Sequence, residues 1–357
     1  MSEAHGGKNL RELKSLGVDS EDVLDLSANV SLYGTPASVL KAIKDTDVSV
    51  YPDPHCTELR GALARREGVR SENVLAGNGS TELIRLAAQA FAEEGALIAG
   101  PTFSEYAEAC KGLDIPFHEI RSMERTNFTF DFKSGSKSPL ANPSAIFLCN
   151  PNNPTGVYLS QRDVEKLASL FPNATLIIDE AFIHFAAPVW DSVRLSLSRN
   201  VILIRSLTKL YAMPGIRLGY AIGGKKLIDR LASLQPTWSV SSPAQLAGIA
   251  ALKEETYASK VIKEALKNRA SVRKSLLELG FDVLESQTNF LLVKVSSASD
   301  VKRGLLLRNK ILVRDCTSFG LPEHIRIAIG DSDSCDRLVS GMQSIVKSKV
   351  AEGKKYA

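Results

Sequence analysis

Between about residues 71 and 203 the chain alternates short, unbroken apolar runs with stretches of helical periodicity, and this alternation restricts the fold more than any other feature. The runs fall at 74–76, 96–99, 145–149, 176–178 and 201–204, with Gly, Pro, Asn, Asp or Ser at or near their ends. A strand that is apolar on both faces must be shielded from water on both, which places it inside a parallel sheet covered by helices. After Gly79, the residues Leu83, Ala87, Ala90 and Phe91 recur at helical spacing and describe one face of a helix. The expected fold is therefore α/β, with a mostly parallel central sheet flanked by helices.

Past about residue 241 the pattern changes. A long helical region (244–279) is followed by strand-like stretches at 289–295, 311–314 and 325–329 and by a closing helix over 335–350. Such an order suggests a second, smaller α+β domain. The expected division is an N-terminal segment (1–30) packing on the rest, a large domain (31–240) and a small C-terminal domain (241–357). A chain of 357 residues suits about two or three domains and carries ample apolar residue for a large core.

Composition removes several function classes. Lys and Arg total 44 against 40 Asp and Glu, a net charge of +4, and no basic run exceeds two residues, so sequence-independent nucleic-acid binding is not expected. An acidic partner would be a small molecule. The start, residues 1–7, lacks a basic segment followed by an apolar one, and no stretch approaches the ~18 apolar residues of a membrane span, so a cytoplasmic protein is expected. The five cysteines are scattered with no C-x-x-C pair, which points to neither a zinc site nor a disulfide framework.

In an open α/β sheet ligands bind beyond the carboxyl ends of the strands. After the first run comes Gly77-Asn78-Gly79-Ser80-Thr81, suited to a phosphate cup because glycine admits close backbone approach and a helix start offers N–H groups. A plain tight turn with a Ser cap is the simpler alternative. After the third run, Asn150-Pro151-Asn152-Asn153-Pro154-Thr155-Gly156 is a rigid loop whose amides can face a ligand. After the fourth, Asp179-Glu180 sets a carboxylate at the mouth of the sheet, where a helix cap or an ion pair would also satisfy it. After the fifth, Ser206, Thr208, Lys209 and Arg217 form an anion-binding constellation in which Lys209 can also serve as an amine nucleophile. A lone loop lysine is ordinarily solvated, but the four features occur in order, each after its own strand. A pyridine-aldehyde phosphate asks for this set: a lysine for the Schiff base, a carboxylate for the ring nitrogen, and hydroxyls with an arginine for the phosphate.

These segments, with Asp179-Glu180-Ala181-Phe182 and Arg217-Leu218-Gly219-Tyr220, make the chain resemble the fold-type I pyridoxal 5'-phosphate enzymes of the class I/II aminotransferase superfamily over nearly its whole length. The resemblance implies that Lys209 carries the cofactor and later moves a proton, that Asp179 pairs with the ring nitrogen, that Asn153 meets the ring hydroxyl and that Phe103 stacks on the ring. It assigns the cofactor phosphate to Gly79, Ser80 or Thr81, Ser206, Thr208 and Arg217, with Tyr51 reaching in from the other subunit of a homodimer with shared active sites. It makes Arg326 an anion clamp, although a surface strand arginine would read the same way. No metal is implied.

Two branches of the superfamily compete, the histidinol-phosphate aminotransferases and the threonine-phosphate decarboxylases of cobalamin biosynthesis. His5-Gly6-Gly7, Asp25-Leu26-Ser27-Ala28-Asn29 and Thr208 in the lysine segment are similar to the decarboxylases, and Phe182 stands where most aminotransferases have Tyr. Against this, Val30-Ser31-Leu32-Tyr33-Gly34 replaces the Asn-Pro usual after that Asn. The decarboxylase branch implies a phosphorylated amino acid as partner: L-threonine O-3-phosphate, converted to (R)-1-aminopropan-2-yl phosphate, with phosphoserine as a further candidate. His5, Gly6, Asn29, Asn153, Arg314 and Arg326 are its expected substrate residues, although an N-terminal His is often mobile and Arg314 could sit exposed on its strand. A binding protein that kept the fold without catalysis is the alternative from another class, and Lys209 with Asp179 and Arg217 argues against it.

Overall fold

The computed structural model describes residues 5–130, 140 and 142–351. The first four residues, part of the start read above, and those beyond 351 lie outside them. The strands are β1 (Leu24–Asp25), β2 (Val74–Asn78), β3 (Ala96–Gly100), β4 (Phe117–Arg121), β5 (Ala145–Cys149), β6 (Thr175–Asp179), β7 (Val201–Ser206), β8 (Leu218–Gly223), β9 (Phe290–Lys294), β10 (Ile311–Leu312), β11 (Arg314–Asp315) and β12 (His324–Ala328). Two compact units divide the chain: residues 34–153 with 157–259, and residues 1–33 with 154–156 and 260–357.

In the large unit seven strands form one sheet in the order β2-β8-β7-β6-β5-β3-β4. Only β8 runs against the others; it pairs antiparallel with β2 and with β7, and the remaining pairs are parallel. All five apolar runs are strands of this sheet. The two strands without such a run have local reasons. β4 is an edge strand whose exposed and half-buried positions carry His118, Glu119 and Arg121, as edges that avoid further pairing do. β8 holds Gly219 and Gly223, which weaken a strand pattern. The helix Gly79–Phe91 lays Leu83, Ile84, Ala87 and Phe91 on a core shared with Ile98, Phe147, Ile177 and Ile202. Each large aliphatic or aromatic side chain buried there contributes about 1.5–3 kcal/mol.

The unit boundary falls at 259/260, not at 240/241. The continuous helical pattern over 244–279 is two helices, Ser242–Leu252 and Glu255–Glu278. The first packs on Ala37–Lys44 and Thr57–Glu67 of the large unit, close enough that a Cβ on Gly248 would lie 2.6 Å from Leu218 and 2.8 Å from Leu59. Periodicity marks a helix's apolar face but not which unit that face meets.

In the small unit β9, β12 and β11 form an antiparallel sheet in the order β11-β12-β9, and β1 pairs with β10 in parallel. The stretch 311–314, expected as one strand, is therefore split at Val313 between two sheets. The N-terminal segment belongs to this unit and closes its core through Leu26.

Candidate active site

Because β2, β3, β5, β6 and β7 all point the same way, the segments that follow them emerge at one edge of the large sheet. This brings together Gly79, Ser80, Thr81, Phe103, Asn153, Asp179, Ser206, Thr208, Lys209 and Arg217, which are far apart in sequence.

Asp179 ends β6 with 3% of its surface exposed. Its Oδ2 accepts from the Tyr106 hydroxyl at 2.8 Å and its Oδ1 from the Ala181 N–H at 2.9 Å. Burial nevertheless raises its pKa above the ordinary 3.8, opposed by these two bonds and by the nearby charge of half-buried Lys209. The carboxylate is thus under-compensated, and a cationic N–H would suit it. Tyr106 is fully buried, stacks on Phe147 with centroids 5.5 Å apart, and meets Phe103 edge-on at 5.9 Å. Burial holds its phenol well above 10, so it stays a donor. Sequence reasoning missed Tyr106, which lies in the helix Glu105–Gly112 and reaches Asp179 by tertiary packing that no local pattern reports.

The cleft expected to take a phosphate is built around Gly219, which pairs with Ser206 on one side and Gly77 on the other. A Cβ at Gly219 would sit 2.6 Å from the Ser80 N and 3.1 Å from the Arg205 O, so only glycine lets the helix start lie this close to β8. Gly79 has φ +76°, and a Cβ there would lie 2.6 Å from Arg217 Nη2. Arg217 itself adopts φ 56°, with Nη1 donating to the Pro214 O at 3.0 Å, a strained backbone of the kind that functional sites retain. The Ser206 and Thr208 hydroxyls are 2.8 Å apart. Helix N–H groups, two hydroxyls and a guanidinium around glycine-cleared space fit a phosphate.

Behind this edge, buried Arg205 bonds Glu180 through Nε at 2.8 Å, Ser192 Oγ at 3.2 Å, and Glu67, which also accepts from Tyr220 at 2.7 Å. Glu180 follows Asp179 and Arg205 precedes Ser206, so the network ties together the two strand ends that carry the site. Tyr51 is 77% exposed and stacks on Trp238 at 4.4 Å.

In the small unit Arg314 and Arg326 are directly opposed across β11 and β12. Both are buried, at 4% and 5% exposure, so neither is the surface strand arginine that the sequence also allowed. Arg326 Nη2 donates to the Ser27 O at 2.5 Å, and Arg314 Nη1 donates to the His5 O at 2.9 Å. Burial, together with the charge of Arg314, pushes the Arg326 pKa down to about 10 despite attraction from Cys316 and Asp25. Asn29 is buried at φ 54°, its carbonyl accepting from Asn289 Nδ2 at 3.0 Å, while its Oδ1 has no hydrogen-bond partner among the described residues. His5 and Gly6 are exposed.

A mostly parallel sheet with a lysine, a buried carboxylate and a cluster of hydroxyls, helix-start N–H groups and a guanidinium at one edge points to an enzyme class. Residues 21–342 match the family "Aminotransferase class I and II", and the chain belongs to it. Pyridoxal 5'-phosphate is accordingly its cofactor. The chain is 33% identical over 353 residues to the "Adenosylcobalamin biosynthesis bifunctional protein CobDQ" of Leptospira interrogans, covering 96% of this chain and 41% of that protein, so it spans less than half of that relative. It is 28% identical over 351 residues to histidinol-phosphate aminotransferase 2 of Carboxydothermus hydrogenoformans, covering 96% of each. The solved L-threonine-O-3-phosphate decarboxylase from Porphyromonas gingivalis superposes with a TM-score of 0.80 at 25% identity, covering 90% of this chain and 99% of that one. Among the described residues no helix is long and apolar enough to cross a membrane.

Proposed function

We propose that the chain decarboxylates L-threonine O-3-phosphate to (R)-1-aminopropan-2-yl phosphate. The observation that carries this reading is the opposed pair Arg314 and Arg326. Like charges facing each other across adjacent strands destabilise a sheet, and burial raises the cost, so the pair calls for a multiply charged anion such as a phosphate. Support for the branch comes from the His5 strap joined to Arg314, from the CobDQ and decarboxylase relatives, and from buried Phe182, which offers no hydroxyl.

Bound to this chain, the cofactor supplies an electron sink for charge developing at the substrate Cα. The chain's own residues do the rest. Lys209 Nζ holds the cofactor and then delivers a proton to Cα. Asp179, oriented by Tyr106, would keep a proton at the ring nitrogen, and Asn153 and Phe103 would help hold the ring. Ser80, Thr81, Ser206, Thr208 and Arg217 hold the cofactor phosphate. Arg326, Arg314, His5, Gly6 and Asn29 would take the substrate phosphate. A second copy of the chain covers the exposed apolar patch of Val48, Val50, Tyr51 and Trp238, through which Tyr51 reaches the partner's cofactor phosphate.

Supplying O-phospho-L-threonine without any keto acid should release CO2. Consumption only when 2-oxoglutarate is present, without CO2, sinks the decarboxylase and favours a histidinol-phosphate-type aminotransferase, the second reading, which the Carboxydothermus relative supports over 96% of its length. Phosphoserine belongs in the same assay, since one methyl gives a pocket only ~1–3 kcal/mol of discrimination. Light scattering on the same preparation reads the dimer.

A further inference from the structure

We infer that Ser27 is the positioning residue of the small unit's anion site, joining the N-terminal strap of His5, Gly6 and Gly7 to Arg326; this rests on the reading of the substrate as phosphorylated. Ser27 is 2% exposed and its polar groups all have partners. Its carbonyl accepts from Arg326 Nη2 at 2.5 Å. Its hydroxyl accepts from the Gly7 N–H at 2.7 Å and donates to Asp25 Oδ1 at 2.6 Å, and its N–H donates to the same carboxylate oxygen at 2.8 Å. A serine that merely closed a turn would need only the bonds to Asp25. The bond to Gly7 spans twenty residues of sequence and fixes the strap.

The strap lies flat on this same residue. A Cβ added to Gly6 would fall 2.1 Å from the Ser27 O, the oxygen that holds Arg326. On its other side the strap is tied by the bond from Arg314 Nη1 to the His5 O, and Arg314 Nη2 donates to Ser318 Oγ at 2.6 Å. Asp25 lies in β1, whose partner β10 ends two residues before Arg314. Ser27 therefore sits where strap, carboxylate and guanidinium meet. Anchoring a guanidinium to a carbonyl fixes its plane before an anion arrives and reduces the ordering cost of binding. The Ser27 hydroxyl contributes by keeping the strap, and with it His5, over the arginines.

The test uses the full-length holoenzyme with inorganic phosphate as calorimetric probe and O-phospho-L-threonine for turnover. Ser27→Ala should raise the phosphate Kd and the KM by about tenfold, with kcat within about twofold and the cofactor absorbance unchanged. Gly6→Ala, which pushes the strap off by its methyl group, should do the same, and the double variant should be no worse than either single one, because both break one linkage. Unchanged affinity in Ser27→Ala, fully additive losses, or loss of cofactor absorbance along with affinity would each overturn the inference. A wild type that takes up no phosphate sinks the substrate class and this inference together. A wild type that binds phosphate but only transaminates refutes the decarboxylase reading alone, and the Ser27 comparison still decides.

Discussion

The sites of the two units are built on different principles. At the edge of the large sheet the polar groups stand at or just beyond the ends of strands, and strand pairing brings them together. In the small unit two buried arginines stand at paired positions of adjacent strands, and their guanidiniums are steadied by carbonyls from a segment about three hundred residues away in sequence. The first arrangement suits a cofactor that stays in place. The second suits an anion that comes and goes, because the charges it meets are held without it. The units should accordingly fail in different ways when their sites are altered.

The largest effect belongs to Lys209. Lys209→Ala should lower turnover of O-phospho-L-threonine by roughly four orders of magnitude or more, with cofactor still bound but no longer trapped by borohydride. Phosphate affinity should be untouched. Retained CO2 release in this variant would remove the chemical role assigned to the large unit.

Arg326→Gln should show the opposite profile. Truncating a buried, hydrogen-bonded charge typically costs 2–5 kcal/mol of ligand binding, so KM should rise roughly a hundredfold while cofactor absorbance and borohydride trapping stay as in the wild type. A variant whose KM is unchanged and whose cofactor is lost would erase the distinction between the two sites.

The same distinction governs what the sequence discloses. Strand-end residues such as Asp179 and Lys209 follow apolar runs, so their common edge could be inferred from pattern and from the rule that ligands lie beyond strand ends. Tyr106 was not legible, because it sits inside a helix and reaches Asp179 by tertiary packing, which periodicity does not report. Gly219 was visible only as part of a motif; its need to lack a Cβ emerges from the approach of Ser80. In the small unit nothing local distinguishes Arg314 or Arg326 from exposed strand residues. Their burial depends on β11 pairing with β12, and on strand 311–314 changing sheets at Val313. Resemblance picked these residues out, and pairing explains them. Likewise the boundary at 259/260 depends on which unit the helix Ser242–Leu252 packs against.

The smallest expected effect is one of stability and sharpens the claim that the large unit's site is completed by its cofactor. Asp179 is buried with its pKa raised above 3.8, because desolvation outweighs the bonds from Tyr106 and Ala181 and the charge of Lys209. Between 3.8 and the raised value the native apo chain holds more protons than the unfolded one, so its stability increases as pH falls through that window. Above the window the carboxylate is charged in both states and the burial cost is fully in force. Asp179→Asn removes that charge; its single oxygen can accept from the Tyr106 hydroxyl or from the Ala181 N–H but not from both, yet the burial cost relieved is the larger effect, so at neutral pH the apo variant should melt about 1–2 °C above the apo wild type. The gap should close as the wild type becomes protonated at lower pH, and the holo forms should reverse it, because a cationic ring nitrogen rewards only the carboxylate. Melting curves of the apo and holo forms across pH test this directly. A gap independent of pH, or an apo wild type that melts above the variant at neutral pH, would mean that Asp179 is already satisfied by its protein partners and is not waiting for a charge to face.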